Sequence, residues 1–281
     1  MIYRSAAGER LIQEQYRRTL ARWPVEHEQL RLPTPEGETF VIASGPAEAP
    51  PLVLLHGSGS DSTQWSDRIP EFAARFRSYA VDILGEPGGS APNRPPSDSD
   101  RYAVWLDAVL DELGVRDARF MGISLGGWMA LDYATRRPDR VTRLALCCPI
   151  GIGGQRTAHL AKALLLNLFG ERGKRASMRG LLGPALDELD PAEREALFER
   201  VRLVTENYRY RVPPPVFGDD TLRGLRMPVG VIAGTEDAMV DSAATKRRLE
   251  ALVPHARVRL LPSVGHFVPA QLAEELAFLG G

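Results

Sequence analysis

The chain has 281 residues, of which 44% are hydrophobic and 25% charged, with a formal net charge of −1. This is the profile of a soluble globular protein with one large domain, or one domain carrying an insertion. The balanced charge excludes the basic field of a nucleic-acid binder or a membrane-surface protein. Residues Met1 to Trp23 are dense in Arg, Glu and Gln, without the apolar stretch of a secretory signal. No apolar run is long enough to span a bilayer. The only cysteines, Cys147 and Cys148, are adjacent, and pairing them would strain the intervening peptide. Reduced thiols and a cytoplasmic location are expected. No spacing matches a zinc, haem or dinucleotide site, so no cofactor and no metal are expected.

In chain order, residues 9–22 carry Leu11, Ile12, Gln15, Tyr16 and Thr19 at helical spacing. This predicts a helix that packs its stripe on the main body. Glu28 to Leu32 and Thr39 to Ala43 predict an antiparallel hairpin around Pro35-Glu36-Gly37. Leu52 to Leu55 is a fully apolar strand, Arg68 to Phe76 a helix, and Tyr79 to Asp82 a strand. Tyr102 to Leu113 reads as a helix ended by Gly114. Ala118 to Met121 is a short buried strand, and Gly127 to Ala134 a helix. Val141 to Cys148 is the next strand. Apolar strands separated by amphipathic helices predict a mostly parallel sheet covered on both faces.

That rhythm breaks between residues 151 and 226. Residues 158–169, 180–190 and 191–206 read as helices with no strand between them, and Pro213-Pro214-Pro215 closes the region as a stiff linker. Alternation then resumes. Pro228 to Ala233 and Arg257 to Leu261 are strands, and Ser242 to Leu252 and Pro269 to Leu279 are helices. The expected organisation is an N-terminal helical extension over 1–27, an α/β core over 28–150 and 227–281, and a helical insertion over 151–226.

The chemistry centres on Gly122-Ile123-Ser124-Leu125-Gly126, placed between a strand and a helix. A Gly-x-Ser-x-Gly in that context is a nucleophile elbow. Its turn is sharp, so glycines flank the serine, and the hydroxyl emerges beside a helix N-terminus whose field favours negative charge. A serine hydroxyl needs a base, and the base needs an orienting carboxylate. Histidine suits the first role because its ordinary pKa lies near neutrality. Of five histidines, His266 sits just after the last predicted strand, where α/β sites assemble. In the loop after Pro228 to Ala233, Asp237 is the expected carboxylate and Glu236 the alternative, with Asp241 the more natural cap of the following helix. The oxyanion needs backbone donors. The N–H groups of Leu125 and of Ser58, in His56-Gly57-Ser58-Gly59-Ser60, are expected to supply them. His56 is read as structural.

These segments resemble the α/β-hydrolase superfamily, and within it the capped serine esterase-like branch. The resemblance is carried by Leu52–Gly57, Val81–Ser90, Gly122–Gly127, Gly234–Asp237 and Gly265-His266, with the family's Ser…acid…His order. It implies an α/β-hydrolase fold in which residues 151–226 form a cap over the acyl pocket. It also implies a serine hydrolase acting on a small to medium carboxylic ester through an acyl-enzyme. Dehalogenases and epoxide hydrolases of this fold place aspartate at the elbow, unlike Ser124. Proline iminopeptidases usually carry His-Gly-Gly-Pro-Gly, unlike His56 to Ser60. Hydrolases cleaving carbon–carbon bonds of ring-fission products are the enzymatic alternative. Thioesterase, lactonase, perhydrolase and acyl-transfer or cyclisation activities share the machinery. A non-catalytic ligand-binding homologue is the alternative of another class.

Trp65, Trp128, Cys148, Ile150 and Ile152 are candidates for an apolar pocket lining. Arg172, Lys174, Arg175 and Arg179 read as a solvated helix surface. Glu86 and Ser90 receive no chemistry. The expected partner is a small ester-like molecule, and both a monomer and a homodimer fit the composition.

Overall fold

A computed structural model describes residues 1–156, 165, 166 and 168–281. Strand β3 (Pro51–Leu55) lies deep in the sheet because Leu52, Val53, Leu54 and Leu55 are apolar on both faces. It pairs in parallel with β4 (Arg77–Val81) and β5 (Ala118–Ile123). β6 (Val141–Cys147), β7 (Val229–Gly234) and β8 (Arg257–Leu261) extend the parallel array. On the other side, β1 (His27–Leu32) and β2 (Thr39–Ser44) form the expected antiparallel hairpin, in which Leu30 faces Val41. β2 also runs antiparallel to β4. The eight strands stand in the order β1-β2-β4-β3-β5-β6-β7-β8.

Alternation along the strands divides the core into two layers. Val41, Val53, Leu55 and Val81 pack with Trp105, Leu106 and Val109 of α3 (Arg101–Glu112) and with Leu131 and Tyr133 of α4 (Leu125–Arg136). Ile42, Leu52, Leu54 and Ala80 face the opposite way. They meet Tyr16 and Leu20 of α1 (Ala6–Leu20), Ile69 and Phe72 of α2 (Ile69–Ala73), and Leu276 and Leu279 near the C-terminus. Both cysteine thiols are free and buried. Among the described residues, no helix is long and apolar enough to cross a membrane.

Several element boundaries differ from the sequence expectation. α1 starts three residues earlier than residue 9, because Ser5 caps it by accepting the Gly8 N–H. The helix expected over Arg68 to Phe76 is only five residues long. A 3₁₀ turn at Ser62–Trp65 precedes it, and by Arg77 the chain has joined the sheet, its N–H donating to Pro50 O. The helix expected over 158–169 falls mostly on residues outside the described set. The helix expected over 180–190 is replaced. α5 (Gly170–Leu182) ends at Gly183, with φ of 94°, and a 3₁₀ turn follows over Pro184–Glu188. Gly183 packs backbone-to-backbone on Gly265, where a Cβ would lie 2.5 Å from the Gly265 Cα. α6 (Pro191–Asn207) matches the 191–206 expectation.

A short helix, α7 (Asp219–Arg223), leads into β7, and α8 (Ser242–Leu252) and α9 (Leu272–Gly280) flank β8. α9 starts later than the expected Pro269. Among the described residues between β6 and β7 there are helices and turns but no sheet strand.

α1 touches two parts of the molecule. Tyr16 donates its O–H to Asp82 Oδ2 at 2.7 Å, and Gln13 Nε2 donates to Gly88 O at 2.9 Å. At the other end, Ile2 and Ile12 pack with Val204 and Tyr208, and Arg209 N–H donates to Ile2 O.

Candidate active site

Ser124 stands between β5 and α4 with φ of 52° and ψ of −106°, a conformation that a non-glycine residue holds only when its surroundings impose it. The glycines explain how the turn closes. A Cβ on Gly122 would collide with the Gly126 backbone, and one on Gly126 with the carbonyl oxygens of Leu55 and His56. The Ser124 N–H is tied to Cys147 O at 2.9 Å, and its carbonyl accepts the Trp128 N–H at 3.0 Å.

Two loops at the carboxyl ends of β7 and β8 converge on this serine. His266 Nε2 lies 3.0 Å from Ser124 Oγ, and His266 Nδ1 lies 2.7 Å from Asp237 Oδ2. A carboxylate only accepts, so Nδ1 carries the hydrogen and Nε2 faces the serine as an acceptor. Asp237 Oδ1 accepts the N–H groups of Met239 and Val240 at 2.7 and 2.9 Å. Burial acts to raise the Asp237 pKa. The hydrogen bond and charge of His266 and the two backbone donors outweigh it, and the carboxyl lies below its ordinary value. Glu236 points to solvent, and Asp241 caps α8 by accepting the Ala244 N–H. The end of α5 steadies the histidine loop, since Phe267 N–H donates to Leu182 O at 3.0 Å.

His56 is not poised as a base. It is buried, its Nε2 accepts the Ile83 N–H at 2.9 Å, and its Nδ1 donates to Gly57 O at 2.8 Å. Both ring nitrogens are committed within the loop.

Leu125 is the first residue of α4, so its N–H has no partner in the helix. The other expected donor lies in a loop whose neighbouring N–H groups are taken. Gly57 N–H donates to Gln64 Oε1 at 2.8 Å, and Gly59 N–H donates to Glu86 Oε2 at 2.7 Å. Among the described residues, the Ser58 N–H between them has no protein acceptor.

Glu86 is the residue that the sequence analysis passed over. Its side chain is fully buried, Oε2 holds Gly59, and Oε1 accepts Arg211 Nε at 2.6 Å. A signal was available, because an acid in the glycine-rich run after β4 sits at the carboxyl edge of the sheet. Its basic partner, just ahead of Pro213 to Pro215, is too far along the chain to suggest the pair.

The pocket candidates separate. Trp128 is buried, stacks on Phe217 at 5.4 Å and donates Nε1–H to Pro215 O. With Leu125, Met129, Tyr102, Arg211 and Val212 it lines a cavity of about 70 Å³ beside α4. Ile150 is buried behind the elbow, its N–H 3.4 Å from Ser124 O, and Ile152 is fully buried. Trp65 is wholly enclosed in the layer that contains Ile69 and Phe72. The Cys148 thiol is pushed well above its usual range, first by its hydrogen bond with Cys147 and then by burial. It therefore stays protonated and a poor nucleophile. On α5, Lys174 pairs with Glu171 and Glu206, Arg175 with Glu195, and Arg179 with Asp187. Arg172 is exposed.

Comparison with known proteins agrees with this arrangement. Residues 52–277 match the alpha/beta hydrolase family. Carboxylesterase YbfK of Bacillus subtilis (strain 168) is 30% identical over 263 residues, covering 92% of this chain and 88% of its own. The uncharacterized carboxylesterase nap of the same organism is 31% identical over 256 residues, covering 89% and 84%. The crystal structure of naproxen esterase (carboxylesterase NP) from Bacillus subtilis superposes with a TM-score of 0.84 at 27% identity, covering 99% of both chains. Strand order, elbow, loop positions and family match all lead to one assignment: this chain belongs to the α/β-hydrolase family.

Proposed function

We propose that this protein is a serine hydrolase of small to medium carboxylic esters, acting without a cofactor. The observation that carries the reading is the unbroken line Ser124 Oγ, His266 and Asp237, with separations of 3.0 and 2.7 Å. Ser124 attacks the ester carbonyl while His266 Nε2 takes its proton. The imidazolium is held by Asp237, which stays ionised. Negative charge on the carbonyl oxygen falls to the N–H groups of Leu125 and Ser58. His266 then protonates the departing alcohol, and water releases the acid by the reverse path. The similarity to proteins named carboxylesterases supports esters as the substrate class. Residues 151–226 are read as the cap, with Trp128 and Ile150 beside the acyl pocket. The unpaired, buried cysteines favour a cytoplasmic setting.

The test is labelling with a fluorophosphonate, with the adduct located by peptide mass spectrometry, followed by turnover of an ester and diketone panel. An adduct on Ser124 that is lost in His266→Ala, together with ester turnover, is the expected result. No adduct on folded protein overturns the enzyme reading. Turnover confined to ring-fission-type diketones replaces ester cleavage with carbon–carbon cleavage on the same residues.

A further inference from the structure

Two arginines from the segment preceding β7 reach carboxylates on either side of the loop that carries Ser58. Arg200 donates to Asp61 Oδ2 at 2.7 Å and to Thr63 Oγ1 at 3.1 Å. Arg211 Nε donates to Glu86 Oε1 at 2.6 Å. Between them Tyr210 covers Gly59, where a Cβ would lie 2.6 Å from the ring. The loop is clamped from above, and Glu86 is the fixed point beneath it.

Glu86 acts on the loop in two ways. Its bond to the Gly59 N–H sets the turn that leaves the Ser58 N–H free. Its charge is a hazard, because a buried anion beside an oxyanion hole opposes the charge that develops on the substrate oxygen. Arg211 removes that hazard. Its Nη1 and Nη2 donate to Tyr102 Oη at 2.5 Å and Leu84 O at 2.7 Å, so each guanidinium nitrogen is held and it is a fixed counter-ion.

We propose that Glu86 and Arg211 form a positioning pair for the oxyanion loop. Glu86 sets the Ser58 N–H through Gly59, and Arg211 cancels the Glu86 charge so that the site still welcomes an oxyanion. Neither residue touches the reacting atoms. The inference rests on the hydrolase reading above.

The test is a double-mutant cycle on the full chain with a soluble ester. Arg211→Met strands the Glu86 charge, and the expected loss is about 10- to 100-fold in kcat with KM little changed, toward the cost of one lost oxyanion donor. Adding Glu86→Gln keeps an acceptor for Gly59 N–H and removes the stranded charge, so the double variant recovers most of that loss. A purely structural pair moves differently: its losses appear as a lowered melting temperature, with kcat of the folded variant unchanged. Circular dichroism melting checks each variant. Should Arg211→Met fold poorly, Arg211→Lys against Arg211→Gln carries the test, and the charged variant is the more active. A folded Arg211→Met with wild-type kcat, a double variant no better than the single, or Lys no better than Gln overturns the pair. Failure of the hydrolase reading is distinct, because wild type itself then shows neither ester turnover nor a Ser124 adduct.

Discussion

Asp237 grips His266 with one carboxylate oxygen and its own loop with the other. Oδ2 sits 2.7 Å from His266 Nδ1, while Oδ1 is held by the N–H groups of Met239 and Val240. The aspartate therefore cannot rotate away without abandoning two backbone donors, and the imidazole is held in one tautomer. Asp237→Asn preserves the shape and removes the charge. On the triad logic kcat falls by about 10⁴-fold while the fold persists. Steady-state kinetics beside a circular dichroism spectrum checks this, and a folded variant within ten-fold of wild type contradicts it.

Acid stability carries a signature of the same carboxyl. Its pKa is lowered in the folded protein, so it binds a proton less readily there than in the unfolded chain. The stabilisation is fully present above the unfolded value of about 3.9 and is lost as pH falls through the folded value. In urea titrations wild type should hold its advantage over Asp237→Asn at pH 5 and surrender it on further acidification. An advantage lost between pH 7 and 5 reverses the sign.

The elbow predicts an intolerant position. A methyl at Gly126 meets the Leu55 and His56 carbonyl oxygens, which are backbone and cannot rotate aside. Gly126→Ala should cost at least about 3 kcal/mol, the upper range of overpacking. Gly154, where an added Cβ would meet nothing within 4 Å, is the internal control and should accept alanine with little change. Melting temperatures of the two variants decide it.

Arg68 and Glu275 are a buried ion pair, 4% and 2% exposed, that ties α2 to α9. Arg68 also donates to Val268 O, two residues beyond His266. Arg68→Met leaves Glu275 buried without a counter-ion and should cost about 3–5 kcal/mol in urea unfolding. Adding Glu275→Gln should return much of it, since the cost lies in the orphaned charge.

The strands of the parallel array were legible because a strand buried on both faces is a continuous apolar run, as in Leu52 to Leu55. Ser124, His266 and Asp237 stood out because nucleophile, base and orienting acid admit few residue types, and loops after strands are few. The Gly183 break was harder to see. It depends on close approach to Gly265, which no local window contains. Glu86 was missed for a similar reason. Its meaning comes from Gly59 and Arg211, 27 and 125 positions away, and a lone acid in a loop ordinarily faces solvent.

The first helix gives this enzyme a brace outside its own catalytic scaffold. The strands begin only at His27, yet Tyr16 is bonded to Asp82 and Ile2 O holds Arg209, two residues before Arg211. A deletion or a bulky tag at the first residues would leave every strand and the Ser124–His266–Asp237 line in place. It would still slacken the far anchor of the arginine that steadies the Ser58 loop, so a change made at the edge of the molecule would surface as a change in turnover.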